Sequence, residues 1–373
     1  MSFKEDWEEI KLNKVANFKN GKSIDENDRN DKFDVEIFGS NGVIGKTKNA
    51  LIEDELIIIG RVGAYCGSLQ YSNKPVWVTD NAIACSAENE NTKYIYYYLK
   101  TISIRKMAGG SAQPLINQSI LKNIKINLPP KYEQKRIANI LYTLDKKIEN
   151  NNKMNKTLEE MAQAIYKSWF VDFEPFQDGK FVESELGMIP NNIELKPLKD
   201  FFSVKTGKKN ANIATDDGDY AFFTCSQGMR RTNVYSFDDT AILLAGNGDF
   251  NVKWYRGKFE AYQRTYVLIP NVTELFSFLY YSIDYFLDKL ILGQRGSVIS
   301  YLTKGMVEEL KIPIMKDENM FNDIIKRLNN INYLIEKNEN ENRTLKKLRD
   351  SLLPKLMSGE IRVPLDDNAK EVN

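Results

Sequence analysis

The chain repeats itself once, and each copy closes on the same long apolar seam. In the first copy Ile137, Leu141, Leu144, Ile148, Asn151, Asn155, Leu158, Ala162 and Ile165 recur at alternating spacings of four and three. About 187 residues on, Ile324, Leu328, Ile331, Ile335, Asn338, Asn342, Leu345, Arg349 and Leu352 do the same. That spacing is a coiled-coil seam. Neither seam helix can be satisfied alone, and two in one chain can pair with each other. The first is expected from near Tyr132 to about Phe170, about 40 residues and about 60 Å long, with no Pro or Gly inside. Paired asparagines mark the middle of both seams. At such a position asparagine lowers stability and fixes register, so Asn151, Asn155, Asn338 and Asn342 are expected to set the helix register. The alternative is that they mark wet positions where the helices splay.

The segments before each seam repeat as well. Gly21-Lys22 returns as Gly207-Lys208, Ile57-Ile58-Ile59 with Gly63 as Ile242-Leu243-Leu244 with Gly248, and Gly110-Ser111 as Gly296-Ser297. Short β-type runs punctuated by turns, such as Asp34 to Phe38 before Gly39-Ser40-Asn41-Gly42, predict a strand-rich globule in each copy. An aromatic helix follows, Thr92 to Thr101 in the first copy and Leu275 to Leu290 in the second. The expected division is a globule over 1–130, a helix over 131–172, a linker over 173–189 belonging to neither core, a second globule over 190–317, a helix over 318–358 stopped near Leu353-Pro354, and a flexible tail over 359–373. The fold class is α+β: two mixed α/β globules joined by two long antiparallel helices in a coiled coil, with an internal twofold pseudo-repeat. The loops between the repeated anchors do not match, as expected of related modules that read different things.

Several chemistries are discouraged. Histidine is absent, which removes Ser-His-Asp and Cys-His nucleophile systems and His-ligated zinc. Cys66, Cys85 and Cys225 are isolated and odd in number, as reduced thiols of a cytoplasmic protein would be. No secretory h-region is visible at the start, and the longest apolar runs are strand-length, so no membrane association is expected. Gly39 to Thr47 approaches a phosphate loop, but its glycine spacing is one residue too long and no helix follows; a tight turn is the better reading. Asn127-Leu128-Pro129-Pro130 departs from the Asn-Pro-Pro-aromatic motif of adenine methyltransferases, and no glycine-rich cofactor loop accompanies it. The triplets Glu194-Leu195-Lys196 and Glu309-Leu310-Lys311 read as solvated strand charges and not as a nuclease centre.

Net charge is +1, so any nucleic-acid contact must rest on local patches. Lys22, Arg61, Lys74, Arg105 and Lys106 in the first copy, and Lys208, Lys209, Arg230, Arg231, Lys253, Arg256, Lys258, Arg264 and Arg295 in the second, fall largely in or beside turns. They alternate with Ser40, Asn41, Asn81, Gln113, Gln227, Asn247, Gln263 and Gln294. Arginine forks suit guanine edges and phosphates, and Asn or Gln amides suit adenine edges. The bland alternative is that turns are polar in any protein.

At this point the chain resembles a family. Leu128-Pro-Pro-Lys-Tyr-Glu-Gln-Lys-Arg-Ile-Ala, Met161-Ala-Gln-Ala-Ile-Tyr-Lys-Ser-Trp-Phe-Val-Asp-Phe and Leu348-Arg-Asp-Ser-Leu-Leu-Pro-Lys-Leu-Met-Ser-Gly-Glu-Ile look like the central and C-terminal spacers of type I restriction–modification specificity subunits. Gly39-Ser-Asn-Gly-Val-Ile-Gly, Gly60-Arg-Val-Gly-Ala-Tyr-Cys-Gly-Ser and Trp77-Val-Thr-Asp-Asn-Ala-Ile resemble one class of target recognition domain. The resemblance implies two such domains, each reading half of a bipartite double-stranded DNA site, and paired helices that set the unread gap. It implies no catalytic site and no bound cofactor. Two modification subunits would methylate adenine with S-adenosylmethionine, and restriction subunits would use ATP and Mg. The second copy departs from the Gly-Ser-Asn-Gly pattern at Cys225-Ser226-Gln227-Gly228.

Rival readings are a specificity subunit of a system that cuts near its site, a two-headed scaffold for protein partners, and a stand-alone enzyme using carboxylates. Gene neighbours, DNA selectivity and turnover by the purified chain would separate them.

Overall fold

The computed structural model describes residues 6–87, 92–109, 114–292 and 300–363. It divides into two compact units, Met1–Asn150 with Glu341–Asn373, and Asn151–Asn340. Each long helix is therefore shared between units.

Unit 1 is built from β1 (Glu8–Lys11), β2 (Ala16–Asn20), β3 (Val35–Gly39), β4 (Gly42–Thr47), β5 (Leu56–Gly60), β6 (Leu69–Ser72), β7 (Val76–Val78), β8 (Ala82–Ala87), α1 (Thr92–Lys100), α2 (Gln118–Lys122) and β9 (Lys125–Leu128). It also holds the first half of α3 (Lys131–Phe170). One sheet has the order β2-β8-β5-β6, another β4-β3-β7, and β1 pairs with β9. β5, Leu-Ile-Ile-Ile-Gly, is buried along its whole length and is the central core strand. Asn117 caps α2 by accepting the Ile120 N–H.

Unit 2 continues with β10 (Phe181–Ser184), β11 (Gly187–Pro190), β12 (Ile193–Pro197), β13 (Phe202–Thr206), β14 (Tyr220–Phe223), β15 (Arg230–Thr232), β16 (Phe237–Ala245), β17 (Val252–Ala261), β18 (Thr265–Pro270), α4 (Phe276–Leu292), α5 (Lys304–Glu308), β19 (Lys311–Met315) and α6 (Glu318–Ser358), whose second half lies in unit 1. Its main sheet runs β13-β18-β16-β17-β14-β15, and β12 pairs with β19 as β1 pairs with β9. The two sheets of unit 1 are this one sheet interrupted. Where β17 runs unbroken, its counterpart is split into β6 and β7 by Asn73, Lys74 and Pro75. Proline donates no ladder bond, so the strand breaks there.

The long helices α3 and α6 pack together, antiparallel within each unit. In unit 1 Ile137 and Leu141 meet Leu356 and Met357, and Asp145 meets Arg349. In unit 2 Ala162, Tyr166 and Phe170 share a core with Ile324, Leu328, Ile331 and Ile335. The seam drifts toward its ends: Tyr166 is buried where the expected Ile165 is only half-buried, because a straight helix gains about 20° per heptad on a strict seven-residue repeat.

Three expectations are corrected. The 173–189 segment does not lie outside both cores: Phe173, Phe176 and Ile189 are buried in the core of unit 2, and β10 and β11 form a hairpin. Pro354 does not stop α6, which continues to Ser358. A proline inside a helix costs about 3 kcal/mol through its lost hydrogen bond and ring clash, and burying Leu356 and Met357 beyond it, at about 1.5–3 kcal/mol each, offsets that. Residues 359–363 are tied down, since Arg362 donates to both oxygens of the Glu133 carboxylate at 2.7 and 2.9 Å. The repeated Gly-Ser pairs at 110 and 296 lie outside the described residues.

Candidate nucleic-acid interface

In unit 1, separate connections converge on one backbone carbonyl. The Asn81 oxygen, in the β7–β8 turn, accepts the Ser40 hydroxyl from the β3–β4 turn and the Arg61 N–H from the end of β5, the latter at 2.9 Å. The Ser68 hydroxyl donates to the Ser40 carbonyl and locks the same turn from below. Gly21 brings the end of β2 against this cluster. A Cβ there would stand 2.1 Å from the Thr79 oxygen, so only glycine fits. Lys22 follows, exposed, its N–H on the Val78 carbonyl and its own carbonyl accepting Trp77 Nε1, both at 2.9 Å.

Lys22, Ser40, Asn41, Arg61 and Asn81 are thus brought together. Lys74 is not: it lies at the other end of β7. Gln113 lies outside the described residues. Arg61 Nε, Gln70 Oε1 and Thr79 Oγ1 are shielded here yet have no hydrogen-bond partner among the described residues. For these three atoms the fold itself supplies no partner, and an unmet buried polar atom costs about 1–3 kcal/mol. Tyr65, half-exposed between Gly63 and Gly67, also belongs here; an aromatic among loop glycines, with no core face to fill, was the signal for it.

Unit 2 builds the same device from different residues. The Arg264 carbonyl, in the β17–β18 turn, accepts the Gly246 N–H at 2.8 Å and the Cys225 thiol at 3.4 Å. Cys225 follows β14 as Ser40 follows β3, and β14 pairs parallel with β17 as β3 pairs with β7. Gly207 repeats Gly21, its Cβ position lying 2.0 Å from the Ala261 oxygen. Lys208 and Lys209 follow it, exposed, and Gln263 donates to the Lys209 carbonyl at 3.0 Å.

Asn247 bridges to Tyr301, and Gln227 and Arg230 are exposed. Arg231 and Lys253 face inward. Arg231 donates to the Gly218 and Asp219 carbonyls at 2.8 and 2.9 Å, and Lys253 to those of Thr224 and Ser226. Burial pushes the Lys253 ammonium below its ordinary range. These two cations hold loops. Arg295 lies outside the described residues.

The strand triplets carry surface ion pairs, Lys196 with Glu194, Lys199 with Glu309 and Lys311 with Glu185. Burial raises the Cys85 thiol to about 12. Among the described residues no group of Cys, Asp or Glu is disposed to hold a metal, and no helix is long and apolar enough to cross a membrane.

A scaffold duplicated down to its hydrogen bonds, with the side chains on it free to differ, is the design of a two-headed recognition protein. The chain belongs to the family described as "Type I restriction modification DNA specificity domain", which it matches over residues 4–160 and 190–347. It is 35% identical over 181 residues to the type I restriction enzyme EcoDI specificity subunit of Escherichia coli, a match covering 47% of this chain and 40% of that one. It is 29% identical over 306 residues to the MjaIX specificity subunit of Methanocaldococcus jannaschii, covering 73% and 69%. The crystal structure of a type I restriction–modification S subunit from M. genitalium shares the fold at a TM-score of 0.67 and 18% identity, with 96% of this chain and 97% of that one covered.

Proposed function

We propose that this chain is the non-catalytic DNA-recognition subunit of a type I restriction–modification enzyme, each globule reading one half of a bipartite site. The observation that carries this is the carbonyl hub built twice, on Asn81 and on Arg264, beneath loops of different sequence. Lys22, Lys208, Lys209 and Arg230 contact phosphates and position the duplex. Ser40, Asn41, Arg61, Asn81, Gln227, Asn247 and Arg264 face base edges. Arg231 and Lys253 act one step back, by shaping the loops that carry those residues.

The target recognition domains span 1–130 and 190–317, and the helices over 131–172 and 318–358 set the number of base pairs left unread. Two modification subunits supply S-adenosylmethionine and methylate adenine, restriction subunits supply ATP and Mg chemistry, and the complex works in the cytoplasm. Near-neutral charge gives the isolated chain modest, salt-sensitive affinity.

The test is an adenine-methylation map of cells expressing the chain with its modification partner, with and without this gene. A gapped two-part motif that vanishes on deletion is expected. Methylation that does not change on deletion would refute the proposal.

A further inference from the structure

The two hubs place their side chains differently. In unit 1 the residue that follows β5 and donates to the hub is Arg61, and the hub residue is Asn81. In unit 2 the donating residue is Gly246, followed by Asn247, and the hub residue is Arg264. Arginine and amide have changed loops, while the backbone hydrogen bonds beneath them have stayed.

Building on the DNA-recognition reading, we infer that Arg61 and Arg264 are the base-reading arginines of the two heads, each meeting a guanine, one in each half-site. A reader must be held at its backbone and free at its tip. Arg61 is held on both sides, its N–H on Asn81 and its carbonyl accepting the Ile116 N–H at 3.0 Å. Its side chain is half-buried, and its Nε, shielded from solvent, has no partner among the described residues, so the fold does not tie the guanidinium down. Arg264 carries two hydrogen bonds on its carbonyl, and its side chain is exposed. Three other arginines of the heads are spent elsewhere, Arg105 on the Ala64 carbonyl, Arg231 on the Gly218 and Asp219 carbonyls and Arg256 on Glu336, while Arg29 and Arg230 are exposed.

A fork of parallel N–H donors matches guanine O6 and N7, and the wrong base there loses both bonds at once. The exchange of loops moves the guanine relative to the scaffold. One duplicated frame can therefore read two different half-sites without any change of fold.

The test uses the full chain with its modification partner and reads the methylated motif genome-wide, for wild type, Arg61→Ala, Arg61→Lys, Arg264→Ala and Arg264→Lys. Lysine keeps the charge and loses the fork, so it separates base reading from phosphate contact and guards against a misfolded alanine variant. The expected result is that either change at 61 relaxes one guanine position in one half-site by roughly 5- to 150-fold, the equivalent of about 1–3 kcal/mol. The other half-site should keep its stringency. Changes at 264 should do the same in the opposite half.

An unchanged motif methylated less completely would assign these arginines to phosphates and overturn the inference while leaving the recognition reading intact. Loss of stringency in both halves together would overturn it in favour of a structural role. A wild-type chain on which no methylated motif depends would remove the recognition reading and this inference with it.

Discussion

The Asn338 side-chain amide donates to the Asn155 side-chain oxygen at 2.8 Å, and the Asn155 amide reaches the Ile335 carbonyl at 3.4 Å. Facing side chains in an antiparallel pair meet in one register only, and a slip of one turn, about 5.4 Å, breaks both bonds. Asn338→Leu alone leaves the half-buried Asn155 oxygen without this donor and should cost about 1–2 kcal/mol. Asn155→Leu with Asn338→Leu should melt above wild type, because the seam becomes apolar. Cysteines placed along the facing stretches of the double variant should then cross-link in more than one register. A single cross-linked register would leave the asparagines with no part in alignment.

Farther along the same helices the seam carries a charge. Arg349 occupies the position that Ala162 holds in the first copy. It donates to the Asp145 carboxylate at 2.6 Å, while Tyr97 donates to the other oxygen at 2.8 Å. Burial, then the Asp145 charge, pushes the Tyr97 hydroxyl well above its ordinary range, so it stays a donor. Because the pair is partly solvated, Arg349→Ala should cost only about 1–2 kcal/mol in urea unfolding. The double variant with Asp145→Ala should cost less than the sum of the singles. Strict additivity would mean the two side chains do not support each other.

The seam, the repeat and the strand-rich globules were legible because they rest on periodicity, and periodicity follows from helix and strand geometry. The grouping of Lys22, Ser40, Arg61 and Asn81 was legible only as turn residues of the right chemistry. That three of them meet at one carbonyl depends on strand pairing across the sheet, which spacing does not encode. Lys253 and Arg231 show the limit most clearly. Both are basic residues near loops, yet their tips turn onto main-chain carbonyls, and composition cannot say which way a side chain points. Pro175 and Gly179 punctuate the stretch around Phe173 and Phe176 as they would a linker, yet the chain turns there and still buries its rings.

Glu133, at the start of α3, is only 2% exposed and is held by Arg362 and by Trp7 Nε1, the latter at 3.3 Å. A buried carboxylate that loses its cation is left uncompensated. Arg362→Ala should destabilise unit 1 by about 3 kcal/mol, and Glu133→Gln should relieve most of that loss when combined with it. Trp7 fluorescence should report the change, since its indole shares the carboxylate. An Arg362→Ala protein that unfolds at the wild-type midpoint would show that the ion pair contributes nothing.

Glu159 on α3 accepts the Tyr280 and Tyr281 hydroxyls at 3.3 Å each. Burial raises its pKa above the ordinary 4.5; the Tyr281 hydrogen bond opposes that shift, and the Asp284 charge adds to it. A carboxyl raised in the folded state holds its proton more tightly there than in the unfolded chain, so its ionisation weakens the fold. Below about 4.5 both states are protonated and there is no penalty. The penalty grows as pH rises through the folded-state value and is complete above it. Glu159→Gln keeps an oxygen for the tyrosines and removes the charge. It should therefore raise Tm at neutral pH, and the gain should shrink steadily as the melt is repeated at lower pH, vanishing near 4.5. A gain that persists unchanged into acid would assign the effect to packing rather than to the buried charge.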